Sequence, residues 1–381
     1  MTRQTKRVAV AGPVGTGGEM AAVLLGRAVA FRRALGTWFA ASQRRLPWRA
    51  PRSVYRTVVS EFMLQQTQVE TATPYFLSWV RRWPDFGALA GASPEEVLRE
   101  WAGLGYYNRA RNLHRLAGIV SALPALPRTV GEWERLPGVG PYTAAAIASI
   151  ACGERVAVVD GNVVRVLARL VADGREFRSN GDAVTAFAAL AQALVGGDDP
   201  GAHNEAMMEL GAVCCRRQGA RCGACPVASF CAARAGGLAG RLPRFAPRVV
   251  EQVVVRRLWL VRAGRLLLCR YAEGARRLSG LHELPLAQGL VADADGELAV
   301  LVARKRRSIS QQRIVEEIVS MRWSAALGSR IAGRTDLQWV PLGELDAVAL
   351  SGPHRRWVRE LAGSFLALTT EAQGAFSGGV Q

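Results

Sequence analysis

Residues 235–248 read AGGLAGRLPRFAPR, and the hydrophobic pattern before this stretch differs from the pattern after it. Upstream, apolar residues recur at helical spacing. YRTVVSEFMLQQTQVETATPYFLSWVRRW puts Tyr55, Val58, Val59, Phe62 and Met63 on one stripe. SPEEVLREWAGL opens with a serine followed by acids, a helix cap and first turn. Downstream, VVVRRLWLVRAGRLLLCRY contains two β-like runs around RAGR, which predicts a hairpin, and RIVEEIVSMRW predicts a further strand. A chain that changes period across a joint rich in Gly, Pro and Arg builds two different cores. The expected organisation is a mainly α region over 26–234, a linker over 235–250 and an α/β domain over 251–364. Residues 1–25 and 365–381 read as disordered tails.

The formal net charge is +18, carried almost entirely by arginine; Lys6 and Lys305 are the two lysines of the 381-residue chain. A field of that sign attracts polyanions, either nucleic acid or an acidic membrane face. No apolar run approaches the roughly 18 residues needed to cross a bilayer. Gly and Pro interrupt the start MTRQTKRVAVAGPVGTGGEM, so no signal peptide is expected. Its GPVGTGG lacks the Lys-Ser/Thr of a phosphate loop.

Four of the seven cysteines fall in CRRQGARCGACPVASFC: Cys215, Cys222, Cys225 and Cys231. An odd total without a secretory signal argues against disulfides. Four thiolates spaced C-x6-C-x2-C-x5-C can wrap a tetrahedral zinc or an iron–sulfur cube, and the spacing leaves both open. From Gly211 to Val250 there are seven arginines and no acid, so a metal-pinned loop carrying Arg216, Arg217 and Arg221 would make a rigid phosphate contact.

LPGVGPYTAAAIASI places Gly138 and Gly140 where a tight turn needs positive φ or close backbone approach. The helix after it starts near Pro141, and its free N–H groups favour an anion such as a DNA phosphate. Asp160, in VVDGNVVRVLARL, stands where a helix N-cap is expected, and Asn162 is open to the same two readings, cap or functional residue. Glu61 lies three residues after Val58, at the edge of the apolar stripe. Near a cleft such a carboxyl has a raised pKa and serves as an acid.

RRLPWR, SEFMLQQTQVET, GLGYYNRARNLH, LPGVGPYTA, VVDGNVVRVLAR, NEAMMELGA and the four cysteines, in that order, resemble the MutY-type adenine DNA glycosylases of the helix-hairpin-helix (endonuclease III) superfamily. The likeness runs from about Arg44 to Cys231. It implies a six-helix helix-hairpin-helix domain joined to a helical domain that holds a 4Fe–4S cluster on Cys215, Cys222, Cys225 and Cys231, with Cys215 rather than Cys214 as first ligand. It also implies a monomeric cytoplasmic enzyme that repairs adenine mispaired with 8-oxoguanine or guanine in duplex DNA. Carried over, Glu61 protonates adenine at N7 and Asp160 stabilises the oxocarbenium-like sugar, with Tyr142 and Asn162 supporting them. Leu64 and Gln66 hold or replace the flipped adenine, and Tyr106 wedges beside the opposing base. Glu205 orders water, and Arg44, Trp48 and Arg49 line the pocket. Relatives that also cut the backbone use a lysine where Tyr142 stands; the helical region here has no lysine, so β-lyase chemistry is not expected.

Residues 251–364 resemble the Nudix-like domain with which this family inspects 8-oxoguanine. LSGLHELP is close to that fold's G-x-W-E-x-P turn, with His282 in place of Trp, and the glutamate-rich hydrolase box is missing. RKRRSISQQRI is expected to carry the lesion-contacting loop, with Ser310 touching the base and Gln311 where a His is usual. Arg304, Arg306 and Arg307 are assigned to phosphate. Two other readings compete: a glycosylase for another mismatch, such as thymine opposite guanine, and a DNA-binding module without catalysis. The presence of both Glu61 and Asp160 argues against the second.

Overall fold

The computed structural model describes residues 17–247, 250–272, 278, 280–291, 299–309 and 312–363, and it divides into two compact units between Pro247 and Arg248. The first unit is built from α1 (Gly17–Gly26), α2 (Ala28–Ser42), α3 (Val54–Leu64), α4 (Val69–Arg82), α5 (Phe86–Ala90), α6 (Pro94–Glu100) and α7 (Asn108–Ser121). It continues with α8 (Val130–Glu134), α9 (Pro141–Cys152), α10 (Gly161–Leu170), α11 (Asn180–Leu194), α12 (Pro200–Glu209) and α13 (Ala232–Ala235). Two short strands, β1 (Glu176–Phe177) and β2 (Arg244–Phe245), pair in parallel. Helix starts follow local chemistry. Ser93 caps α6 in a full capping box with Glu96 and Pro94 behind it, and Thr129 does the same for α8 with Glu132. Each such cap is worth about 1 kcal/mol.

The helices form two cores. One gathers Val58, Val59, Phe62, Phe76, Trp79, Trp101, Leu113, Trp133 and Ile147 from α3 to α9. The other gathers Phe31, Leu35 and Phe39 from α2 with Val164, Leu167, Phe187, Leu194, Met207 and Leu210 from α10 to the end of α12. The chain start therefore returns to complete the second core. Of the residues 1–25 read as a tail, 17–25 are helical: Met20 and Leu24 of α1 pack into this second core.

The turn between α8 and α9 separates its two glycines. Gly138 has φ +79, and a Cβ there would lie 2.6 Å from Asn112 Cβ and 2.9 Å from Phe62 Cε1. Gly140 is the N-cap of α9 at φ −95 with nothing within 4 Å of a Cβ, so neither positive φ nor close packing requires it.

The second unit contains β3 (Glu251–Leu258), β4 (Val261–Arg262), β5 (Arg265–Arg270), β6 (His282–Glu283), β7 (Val300–Ile309), β8 (Gln312–Ser320), α14 (Ala325–Ala332), β9 (Leu337–Pro341) and a helix over 352–363. The sheets run β3-β8-β7 and β4-β5-β6, with β9 on β5. The expected hairpin is real only at its tip, where Val261 and Arg262 pair with Leu266 and Arg265 around Ala263 (φ +47) and Gly264 (φ +70). Its first arm instead leaves as β3 to pair in parallel with β8. The reason is the apolar run Leu258-Trp259-Leu260, buried at every position, where the chain crosses from one sheet to the other.

Charged residues fill part of this unit's interior. Arg257 donates from Nε to Glu316 Oε2 and from Nη2 to Glu283 Oε2, both at 2.9 Å. Arg307 reaches Glu283 and Glu316 at 3.4 and 2.5 Å with its side chain 16% exposed, so it is a core residue and not the phosphate contact expected of it. Arg304 is exposed but pairs with Glu317 at 2.9 Å. Ser310 and Gln311 lie outside the described residues.

Gly138→Ala is expected to lower stability by about 2 kcal/mol through backbone strain and the Asn112 and Phe62 contacts. Gly140→Ala should cost about 0.5 kcal/mol, the ordinary loss at an N-cap. Urea denaturation of both variants checks this; equal losses would contradict the different roles assigned to the two glycines.

Candidate active site

A cavity of about 290 Å³ lies among the segment before α3, α3 itself, the starts of α9 and α10, and α12. Of the residues singled out from sequence, it brings together Glu61, Asp160, Tyr142, Asn162, Arg44, Trp48, Arg49, Leu64 and Glu205. Glu61 and Asp160, 99 residues apart in sequence, thus share one cleft.

Glu61 is not at the edge of an apolar stripe. Helix α3 is the central helix of its core, buried at every position from Thr57 to Met63, and Glu61 is 8% exposed. Among the described residues no cation pairs with it. Burial pushes its pKa up to about 8, reinforced by the charges of Asp160 and Glu205 and opposed by a hydrogen bond with the Tyr142 hydroxyl. Tyr142 is itself raised well above its ordinary value, first by burial and then by Glu61 and Asp160. Met208 Sδ lies 3.4 Å from the same hydroxyl.

Asp160 is also the helix cap that its position suggests. Its Oδ1 accepts from Val163 N at 2.7 Å and its Oδ2 from Asn162 Nδ2 at 2.8 Å, so the carboxylate is locked at the positive end of α10. Asn162 Oδ1 accepts from Arg165 Nη2 at 2.9 Å, while Arg165 Nε donates to Cys215 O and its Nη2 to Gly211 O, each at 2.7 Å. A Cβ on Gly211 would stand 2.6 Å from Asn162 Cβ, so the close approach of these segments needs glycine there. The chain of hydrogen bonds therefore runs from Asp160 to the backbone of the first cysteine of the quartet.

The cleft's other carboxylates are neutralised. Glu209 accepts from Arg44 Nε at 2.8 Å and from Arg49 Nη2 at 3.0 Å; Glu205 accepts from Arg49 Nε at 2.8 Å and from Arg52. Each Glu205 oxygen thus accepts from an arginine. Arg44 and Arg49 line the pocket as partners of these acids.

Gln66 does not line the cavity. It is exposed at φ +56, and its neighbour Gln65 faces the cleft, donating from Nε2 to Thr143 Oγ1 at 3.3 Å. Tyr106, 65% exposed at φ +48, sits at a loop tip away from the cavity lining, and Gly138 and Gly140 lie in the turn before α9. Sequence reasoning missed Gln65, Arg52, Met208 and Glu209. Glu209 was within reach, since it follows Glu205 by four residues on the same face of α12; the others carried no comparable signal.

Among the described residues no group of three or more His, Cys, Asp or Glu is placed to hold a metal ion. The four cysteines nonetheless share one neighbourhood. Burial raises Cys231, and Cys215, Cys225 and Cys222 raise it further; Cys225 is pushed up to about 12 by burial, with Cys214 and Cys215 adding to this. Arg169 donates to Cys215 Sγ at 3.3 Å. That contact suits a negatively charged thiolate at Cys215.

The model of the HhH-GPD superfamily base excision DNA repair proteins matches residues 59–179. The chain is 41% identical over 218 residues to an adenine DNA glycosylase of Mycolicibacterium smegmatis, covering 55% of this chain and 73% of that protein. It is 47% identical over 216 residues to the adenine DNA glycosylase of Homo sapiens, covering 54% of this chain and 39% of the human protein. The chain belongs to the adenine DNA glycosylase family. It spans about two-fifths of the length of the mammalian relatives it matches. A solved thermostable thymine-DNA glycosylase is similar over 55% of this chain and 97% of its own, at 26% identity and a TM-score of 0.49.

Because the folded protein holds the Glu61 proton more tightly than the unfolded chain, this group adds most stability below its ordinary value of 4.5 and loses it as pH rises through about 8. Glu61→Gln should therefore be the more stable protein at pH 7, by on the order of 3 kcal/mol, with the gap closing below about pH 4.5. Thermal melts of both proteins across this range measure it, and a gap independent of pH would contradict the raised pKa.

Proposed function

We propose that this chain is a monofunctional adenine DNA glycosylase that extrudes adenine mispaired with 8-oxoguanine or guanine from duplex DNA and hydrolyses its glycosidic bond. The observation that carries this reading is the buried Glu61, protonated near neutral pH, in one cleft with the capped Asp160. A buried carboxyl that keeps its proton, beside a carboxylate held at a helix N-terminus, suits an acid and an anion in the same reaction. Glu61 donates its proton to adenine N7. The bond from the sugar C1′ to N9 breaks with its electron pair leaving on the protonated base. Asp160, held by Val163 N–H and Asn162, faces the positive sugar and stabilises it until water adds to C1′ and gives up its proton to the Glu61 carboxylate. Tyr142 fixes the Glu61 carboxyl, and Asn162 fixes Asp160.

Extruding a base costs a few kcal/mol. Tyr106, exposed on its loop, is suited to enter the stack beside the opposing base, while Leu64 at the cleft and Gln66 at its rim fill or hold the vacated position. The open Gly140 and the N-terminus of α9 suit a DNA phosphate. Cys215, Cys222, Cys225 and Cys231 would hold a 4Fe–4S cluster, which would pin the arginine-rich loop. The second unit, through the segment containing Ser310, inspects 8-oxoguanine. Among the described residues no helix is long and apolar enough to cross a membrane.

Glu61→Gln is expected to slow single-turnover excision from an A:8-oxoguanine duplex by about 10²–10⁴-fold. Wild-type excision should fall as pH rises through about 8, where Glu61 loses its proton. A variant as fast as the wild type would end the enzyme reading. Borohydride should not trap the protein on this duplex, because Tyr142 offers no amine; trapping that persists without Lys6 and Lys305 would overturn the monofunctional assignment.

A further inference from the structure

Gln66 and Tyr106 both adopt the left-handed backbone that residues with side chains rarely take, at φ +56 and +48. They stand on different loops, forty residues apart. One buried guanidinium serves both loops. Arg109, 7% exposed, donates from Nη1 to the carbonyls of Phe62 (3.1 Å), Met63 (2.9 Å) and Gln65 (2.5 Å) and to Thr67 Oγ1 (3.2 Å). From Nη2 it donates to Leu104 O at 2.9 Å and Gly105 O at 3.2 Å. Its central carbon lies 5.6 Å from the centroid of the Tyr106 ring.

The carbonyls of Gln65 and Gly105 belong to the peptide units immediately before Gln66 and Tyr106. The same side chain therefore fixes the peptide plane that precedes each strained residue. Strain of this kind persists only where the surroundings over-determine it. A buried arginine ordinarily finds a carboxylate, and among the described residues none pairs with Arg109. Its charge is instead directed at the last carbonyls of α3, which the helix leaves without partners, and at the loop before α7. The first loop carries Leu64 and Gln65 into the cleft, and the second carries Tyr106 out towards solvent.

We infer that Arg109 is a positioning residue that clamps the Tyr106 wedge to the adenine pocket, so that what Tyr106 meets opposite the adenine sets where Leu64 and Gln65 stand against the extruded base. This inference rests on the glycosylase reading above. Arg109 touches no reacting atom; it acts through the two loops. Lysine cannot replace it, because a single ammonium lacks the fork that reaches both peptides at once.

The test uses the full chain with A:8-oxoguanine and A:G duplexes. Arg109→Lys should leave duplex affinity within about threefold while slowing excision at saturating protein about tenfold or more, since misplacement of positioning groups acts on the chemical step. Adding Tyr106→Ala should then slow Arg109→Lys less than it slows the wild type. Losses that simply multiply would overturn the clamp. Should Arg109→Lys not fold, Gln66→Ala and Gln66→Gly decide the matter. Both lack the side chain, but glycine also relieves the strained backbone, so it should be the more stable and the slower of the two; equal rates would overturn the inference. A wild-type protein that excises adenine from neither duplex would instead sink the glycosylase reading itself, and the clamp with it.

Discussion

Four carboxyl groups crowd one cleft, and the inequality of their partners decides what the site can do. Glu205 and Glu209 are matched to Arg44, Arg49 and Arg52. Asp160 is held by a helix N-terminus and Asn162. Among the described residues Glu61 is left with a tyrosine hydroxyl and no cation, so taking its charge out of water is not offset by attraction. It keeps its proton. Had an arginine been placed beside it, the cleft would hold four anions and no acid.

The architecture exists to hold this inequality. Glu61 belongs to α3 at the heart of one core, whereas Asp160, Glu205 and Glu209 sit on α10 and α12 of the other. The cleft lies where the two meet, with α9 packed against both α3 and α12. Gly211 lets α10 and the end of α12 touch at Asn162, and Arg165 ties that contact to the cysteine loop. The cysteine loop is thereby part of the support of Asp160, although it lies outside the cleft. On the other flank Arg109 ties the end of α3 to the Tyr106 loop, so the acid's helix is anchored at the end nearest the expected base.

Much of this was legible in the residues. Capping chemistry is local, and Ser93 with Glu96 marked α6 without any tertiary information. The Asp160 carboxylate proved to be both cap and cleft residue, two readings that looked like alternatives. What could not be read were pairings across long separations. The arginines that neutralise Glu205 and Glu209 are more than 150 residues away from them in sequence. The parallel pairing of β3 with β8 is equally remote, and it displaced a hairpin that local pattern alone favoured. The exchange of Gln66 for Gln65 at the cleft has a different cause: a single left-handed φ turns one side chain out and leaves its neighbour in. Periodicity also misjudged Glu61, since a helix buried all round has no edge.

The proton on Glu61 can be observed without DNA. Infrared difference spectra between wild type and Glu61→Gln, taken across pH on the full chain, isolate the carboxyl stretch of this one acid. A midpoint near 8 is the predicted result. A midpoint at the ordinary value near 4.5 would mean that Glu61 is ionised at neutral pH, and the cleft would have no acid to give.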